Sequence, residues 1–326
     1  MKALALLSGG LDSILAIKLI VDQGIEVVAV KFILPFVSEK KDYADEVAKK
    51  FGIPLKKIDV GDEYLEVVRN PRYGYGSGMN PCIDCRIYML REAKRIAKEV
   101  SASFIVTGDV LGERPMSQHR RALELEEREA GLENLIVRPL SAKLFPETIP
   151  EREGWIDRNK LLAIKGRSRK RQIALAEKFG LRDDYPSPSG GCLLTYKEFA
   201  SRIRDLFEHK AQVTTRDLSL LKLGRHFRLE DSKIIVGRNE EENKVLKALK
   251  SPDDYLFEVP GSGSPITILE GSKHREAIEL AAKLTARYSD ANARANEILV
   301  EYRTEQGKEI ILVSPLDEDE VARLRL

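Results

Sequence analysis

Ala3-Leu4-Ala5-Leu6-Leu7-Ser8-Gly9-Gly10-Leu11-Asp12-Ser13 sets a short apolar run against two adjacent glycines and the first turn of a helical pattern, and this order decides the fold. An apolar strand that passes through glycines straight into a helix places a ligand at the carboxyl edge of a parallel sheet. Gly9 and Gly10 lack Cβ atoms, so backbone N–H groups there can converge on a polyphosphate anion. Ser8 and Ser13 add hydroxyl donors, the helix start adds the positive end of its dipole, and Asp12 could hold Mg2+. The plainer alternative is a strand-to-helix turn with a Ser/Gly bend.

Outward from this segment, apolar runs alternate with helical periodicity. Ala3–Leu7, Glu26–Phe32, Leu55–Val60 and Phe104–Thr107 have the Val, Ile, Leu and Ala content of strands buried on both faces. Ile14–Gln23, Asp42–Phe51, Arg86–Val100 and Ser168–Phe179 carry apolar residues every three or four positions, and Asp12 and Asp84 can cap or charge two of the helix starts. Tyr185-Pro186-Ser187-Pro188-Ser189-Gly190-Gly191 can continue neither kind of element and reads as a linker. The expectation is an α/β domain over residues 1–186, with a parallel sheet and helices on both faces, followed by a smaller α+β domain over residues 187–326. In the second domain Glu198–Glu208 and Lys273–Ala286 read as helices. Ser232–Val236 and Tyr255–Val259 read as strands, and Glu297–Tyr302 with Glu309–Val313 reads as a hairpin around Glu305-Gln306-Gly307.

A chain of 326 residues with 43% hydrophobic and 33% charged content has room for two cores, and disulfide staples are not needed to hold it. No run approaches the roughly 18 consecutive apolar positions of a membrane span. Met1-Lys2 leads into a strand-like run instead of a signal peptide, so the expectation is a cytoplasmic protein with no membrane partner. The net charge of +2 conceals an asymmetry: residues 151–250 sum to +8 and the rest to −6. Lys165, Arg167, Arg169, Lys170 and Arg171 could follow a phosphate backbone, or could form a solvated helix face.

The hexapeptide Ser8–Ser13 resembles the PP-loop of the ATP pyrophosphatase superfamily, and sits where that superfamily carries it. No Gly-Lys-Ser/Thr follows and no Gly-x-Gly-x-x-Gly is present, which sets aside the Walker and Rossmann loops. The resemblance implies cleavage of ATP between its α and β phosphates, with AMP passed to a carbonyl oxygen. Cys85-Arg86-Ile87-Tyr88-Met89-Leu90-Arg91 and Val106-Thr107-Gly108-Asp109-Val110-Leu111-Gly112 are similar to the catalytic core of tRNA 4-thiouridine synthetases. That likeness implies a nucleotide site on Ser8, Gly9, Gly10, Asp12, Ser13, Phe32, Arg86, Gly108 and Gln118, with Asp12 and Asp109 catalytic. Gln118 stands one residue further from the glycine than the pattern expects. Arg138-Pro139-Leu140 and Gly166–Ile173 also resemble segments of PP-loop thiolases.

Only three cysteines are present, and Cys82 and Cys85 form Cys-x-x-Cys at a helix start that would lower their thiol pKa values. No histidine lies near them. Three thiolates that leave one position open suit a [4Fe-4S] cluster on Cys82, Cys85 and Cys192, as in the iron–sulfur tRNA thiolases this trio resembles. The rival is a persulfide relay in which Cys192 carries the sulfur, as in 2-thiouridylases. Zinc or inert thiols are the remaining alternatives. Lys233–Asn243 followed by Asp253–Ser262 is similar to the RNA-binding domain of NFACT proteins, although Glu258 and Gly263 replace that family's histidine and basic residues. The combined expectation is ATP-dependent thiolation of a tRNA uridine, with tRNA and a sulfur donor (a cysteine desulfurase, a sulfur carrier or sulfide) as partners and a homodimer left open. Cys82 and Cys192 would act in sulfur transfer. The alternatives are a non-thiolating PP-loop ligase and an NFACT-like RNA-binding adaptor with a degenerate nucleotide site.

Overall fold

The chain begins with β1 (Lys2–Leu6), α1 (Leu11–Val21) and β2 (Glu26–Ile33), in which the two strands run parallel with Ala3 opposite Val27. The computed structural model describes every residue except 38–40, 183, 187–190, 294–295 and 305, and omits the side chains of 292 and 293. The first unit continues through α2 (Tyr43–Phe51), β3 (Leu55–Asp59), α3 (Asp62–Arg69), α4 (Cys82–Glu99), β4 (Phe104–Val106), α5 (Arg120–Ala130), β5 (Ile136–Val137), α6 (Ile149–Arg152) and α7 (Lys170–Lys178). Its five strands are all parallel, in the order β3-β2-β1-β4-β5.

Strand periodicity explains why helices cover both faces. Ala3 and Ala5 point to one side of β1, where they pack with Ile14, Ile17, Phe104 and Val106 under α1. Leu4 points to the other side and packs with Val28, Val30, Leu90, Ile96 and Ile105 under α4. A central strand buried twice over must be apolar throughout, which is why β1 reads as a continuous run. Trp155 packs against the first of these cores, with its ring centroid 6.3 Å from that of Phe104.

The second unit contains α8 (Lys197–His209), α9 (Thr215–Leu221), β6 (Arg225–Leu229), β7 (Ser232–Val236), α10 (Glu240–Leu249), β8 (Tyr255–Glu258), β9 (Thr267–Gly271), α11 (Arg275–Arg287), β10 (Ile298–Thr304), β11 (Gly307–Val313) and α12 (Glu318–Leu324). Its sheet is antiparallel in the order β11-β10-β8-β9-β7-β6, with α11 packed on one face through Ala277, Ala281 and Leu284. The expected hairpin is β10–β11, closed by Thr304 opposite Gly307, although Glu305 lies outside the described residues. Ser187–Gly190 of the expected linker also lies outside them.

The units divide between Thr195 and Tyr196. Hydrogen bonds keep residues up to Leu194 with the first unit: Leu193 N–H donates to Phe36 O at 2.8 Å and Met79 N–H to Leu194 O at 2.9 Å. Cys192 therefore belongs to the same unit as Cys82 and Cys85. Among the described residues, no helix is long and apolar enough to cross a membrane.

Candidate nucleotide and sulfur site

The loop between β1 and α1 is built by its own short side chains. Gly9 takes φ +80°, a conformation that favours glycine, and Gly10 caps α1. Ser13 Oγ donates to Gly10 O at 2.8 Å, and Ser8 Oγ lies 3.2 Å from Ser13 Oγ. Gly108, just beyond β4, presses on this turn. A Cβ there would stand 2.5 Å from Ser13 N and 2.6 Å from Asp12 C, so no other residue fits without moving the loop. Phe32 packs beside Leu6 and Ile58 at the α4 face of the sheet.

Asp12 lies in the first turn of α1, where burial pushes its carboxyl up against the opposing pull of Arg169, whose Nη2 is 3.6 Å from Asp12 Oδ2. Glu113 stands beside it and is pushed up to about 7 by its own burial and by the Asp12 charge. The Asp12 Oδ1 atom is buried and has no hydrogen-bond partner among the described residues. Such an orphaned acceptor fits a cation, so Mg2+ suits this place.

Asp109 is buried at the end of β4, next to Gly108. Burial alone would push it up, yet Arg86, Arg138, Thr107 and Gln118 together hold its carboxyl below the usual range. Thr107 Oγ1 donates to it at 2.7 Å, Gln118 Nε2 at 3.2 Å, and Arg86 pairs with it directly. Arg86 Nε also lies 3.5 Å from Glu126, a fully buried carboxyl that burial pushes up to about 8. Gln118 spends its other amide end on Arg114 N–H at 3.1 Å. Two of the expected nucleotide residues, Arg86 and Gln118, thus meet Asp109 in one buried ionic network, which fixes the loop from Val110 to Gln118.

The three cysteines gather around Tyr64. Its hydroxyl lies 3.3 Å from Cys85 Sγ, and all three thiols act electrostatically on it. Asn80 Nδ2 donates to Cys82 Sγ at 3.1 Å, and the backbone N–H groups of Leu194 and Thr195 act on Cys192. Cys82 opens α4 and Cys85 sits in its first turn, so the pair lies inside the helix instead of ahead of one starting at Arg86, and the lowered thiol pKa expected of Cys85 is not found. Burial pushes Cys85 up to about 12 and Cys192 upward too, because desolvating a thiolate costs more than a helix start returns. Three thiols without a carboxylate among them match an iron–sulfur donor set in kind. Among the described residues, however, no group of three or more His, Cys, Asp or Glu side chains stands arranged to hold a metal ion.

The two parts of the site share a neighbour. Arg114, exposed on the loop after β4, acts on Asp12 and Glu113 and also on Cys192. The sequence reading missed Tyr64, Asn80 and Arg114 as site residues, and gave Glu113 and Gln172 no role. Glu113 directly follows the Gly108–Gly112 stretch, a signal next to a motif, whereas Tyr64 has no local signal.

The first 143 residues match the family model described as thiamine biosynthesis protein (ThiI), and residues 224–325 match the NFACT protein RNA binding domain. The chain resembles the PP-loop tRNA thiolases. A probable tRNA sulfurtransferase of Thermococcus kodakarensis is 35% identical over 121 residues, covering 34% of this chain and 30% of that protein. A tRNA-specific 2-thiouridylase MnmA of Xanthobacter autotrophicus is 28% identical over 229 residues, covering 65% of this chain and 56% of the relative. A solved 4-thiouridine synthetase–RNA complex with bound ATP shares 22% identity at a TM-score of 0.41, covering 68% of this chain and 52% of that one. The chain spans less than two thirds of the length of either curated relative. Within the first unit, the matched segment includes the loop, the Cys-x-x-Cys pair and the Asp109 network, and stops short of Cys192.

Proposed function

We propose that the chain thiolates a uridine of tRNA, using ATP to activate the base and the three cysteines to deliver sulfur. The observation that carries this is Arg114, whose charge acts on the carboxyls of Asp12 and Glu113 and also on Cys192, which supports a nucleotide site and a sulfur site near one another. A reaction that first adenylates a carbonyl oxygen and then brings sulfur to the same ring carbon needs the two sites side by side.

The loop Ser8–Ser13 presents backbone N–H groups and two hydroxyls to the ATP phosphates, and Arg169 and Arg114 stand ready to move from carboxylates to phosphate oxygens. The uridine O2 or O4 attacks the α-phosphorus, the bond to the β-phosphate breaks and pyrophosphate leaves. Sulfur then attacks the activated ring carbon, and the carbon–oxygen bond breaks with AMP as leaving group. Asp12 would hold Mg2+, which supplies charge neutralisation to the phosphates. Cys82, Cys85 and Cys192 would hold a [4Fe-4S] cluster, which supplies an iron position for sulfide. Asn80 and Tyr64 orient two of these sulfurs through their hydrogen bonds. Sulfide, a sulfur carrier or a cysteine desulfurase supplies the atom.

A persulfide on Cys192 is the second reading, favoured by the lack of a ready three-ligand metal group among the described residues. NFACT-like residues 224–325 give tRNA a second surface. Incubation with ATP, a sulfur source and tRNA tests the proposal. Pyrophosphate release together with a nucleoside in which sulfur replaces oxygen supports it, and pyrophosphate release with an unmodified or amidated base sinks it in favour of a PP-loop ligase.

A further inference from the structure

Three oxygen-bearing side chains from separate parts of the first unit meet beside the PP-loop. Asp12 comes from α1, Glu113 from the loop after β4, and Gln172 from α7. Gln172 is completely buried in a helix whose neighbouring positions are exposed. Its Nε2 lies 3.5 Å from Glu113 Oε2 and its amide also acts on the Asp12 carboxyl, while its Oε1 has no hydrogen-bond partner among the described residues. Asp12 shows the same feature, with Oδ2 facing Arg169 Nη2 at 3.6 Å and Oδ1 buried without a partner among the described residues.

Two buried acceptors without donors each forfeit a hydrogen bond to water, and the Asp12 and Glu113 carboxyls repel once both are charged. The charged groups that act on the pair are Arg169, already turned to Asp12 Oδ2, and the exposed Arg114. Neither guanidinium bonds the orphaned oxygens. A cation seated among the three side chains, with the Gln172 amide turned over so that Oε1 takes the place of Nε2, would satisfy both oxygens and separate the carboxyls.

We propose that Asp12, Glu113 and Gln172 form a divalent-cation site, in which Glu113 and Gln172 add two oxygen ligands to the PP-loop aspartate. The donor set is oxygen only, with no imidazole or thiolate, which selects a hard ion of the Mg2+ class over zinc or iron. Three protein oxygens leave the rest of an octahedron for water and phosphate oxygens. The role of the ion in the reaction rests on the nucleotide assignment of Ser8–Ser13, but its binding does not.

The test uses Mn2+ as the probe, titrated into the full chain without nucleotide and followed by electron paramagnetic resonance. Wild type should hold one Mn2+, and Glu113→Ala and Gln172→Leu should each weaken it at least about tenfold. Gln172→Glu, which keeps an oxygen in place, should retain it, a contrast that a purely structural glutamine would not produce. No Mn2+ binding to wild type, or wild-type affinity in both Glu113→Ala and Gln172→Leu, overturns the site. If Gln172→Leu does not fold, the other two variants decide alone: loss in Glu113→Ala with retention in Gln172→Glu supports the site, and any other pattern overturns it. ATP binding to wild type at saturating Mg2+ is measured separately. Its absence would undo the nucleotide assignment while leaving the Mn2+ titration to decide the cation site.

Discussion

Gly108 shows how one missing side chain sets the geometry of the loop between β1 and α1. The end of β4 approaches the first turn of α1 so closely that a methyl group would stand 2.5 Å from Ser13 N. Gly108→Ala should therefore cost about 1–3 kcal/mol of stability by overpacking, and should weaken ATP binding more than tRNA binding. Thermal melting and equilibrium dialysis with ATP would check both, and unchanged ATP affinity would show that the loop tolerates the shift. Glu126 makes a different residue-scale prediction. Its folded carboxyl keeps its proton up to about 8, whereas the unfolded chain releases it near the ordinary value of 4.5. Its contribution to stability is then fully present below 4.5 and is lost as pH rises through about 8, at on the order of 1.4 kcal/mol per pH unit in between. Glu126→Gln should flatten the fall in melting temperature between pH 6 and pH 9, and a fall as steep as that of wild type would assign the loss to other groups.

At the scale of elements, the basic run 165–171 is divided by the start of α7. Arg169 turns inward to Asp12, whereas Lys165, Arg167, Lys170 and Arg171 remain exposed. Replacing Arg167, Lys170 and Arg171 together by Ala should leave ATP binding intact. It should lower the slope of log tRNA affinity against log salt by roughly 2–3, at about 0.7–0.9 per phosphate contact. An unchanged slope would return the run to a solvated face. Arg169→Ala should do the reverse, weakening ATP binding with little effect on the salt slope. The start of α4 carries a second lesson about elements. A helix terminus favours thiolate, but Cys85 is half-buried against the Tyr64 hydroxyl, and the desolvation of its thiolate outweighs the dipole. In the second unit, Asn239 caps α10 by accepting from Glu242 N–H, and Arg238 pairs with Glu242. Part of the NFACT-like motif is therefore spent on holding its own turn.

At the scale of the whole molecule, each unit has its own cores, one pair on the two faces of the parallel sheet and another pair on the antiparallel sheet. A fragment ending at Thr195 should fold cooperatively and bind ATP as the full chain does, while losing part of its tRNA affinity. A fragment that is soluble but unable to bind ATP would show that the second unit supports the nucleotide loop. What the sequence by itself determined is whatever depends on near neighbours. β1, β2 and β4 follow from apolar runs buried on both faces, the turn between β1 and α1 from glycines and hydroxyls within six residues, and the Cys-x-x-Cys pair from its spacing; the edge strand β3, with Lys56 and Lys57 exposed, is not buried on both faces as its run suggested. The short or heavily charged elements stayed hidden, because α5 buries only Ala122, Leu123, Glu126 and Ala130 and β5 is two residues long. Tertiary structure alone decided which distant side chains meet: Gln172 with Glu113, Tyr64 with Cys85, and Arg86 with both Asp109 and Glu126. These contacts join parts of the chain whose local patterns are independent of one another. The shifts of buried carboxyls and thiols, which set the charge of the site, arise only once packing has removed water.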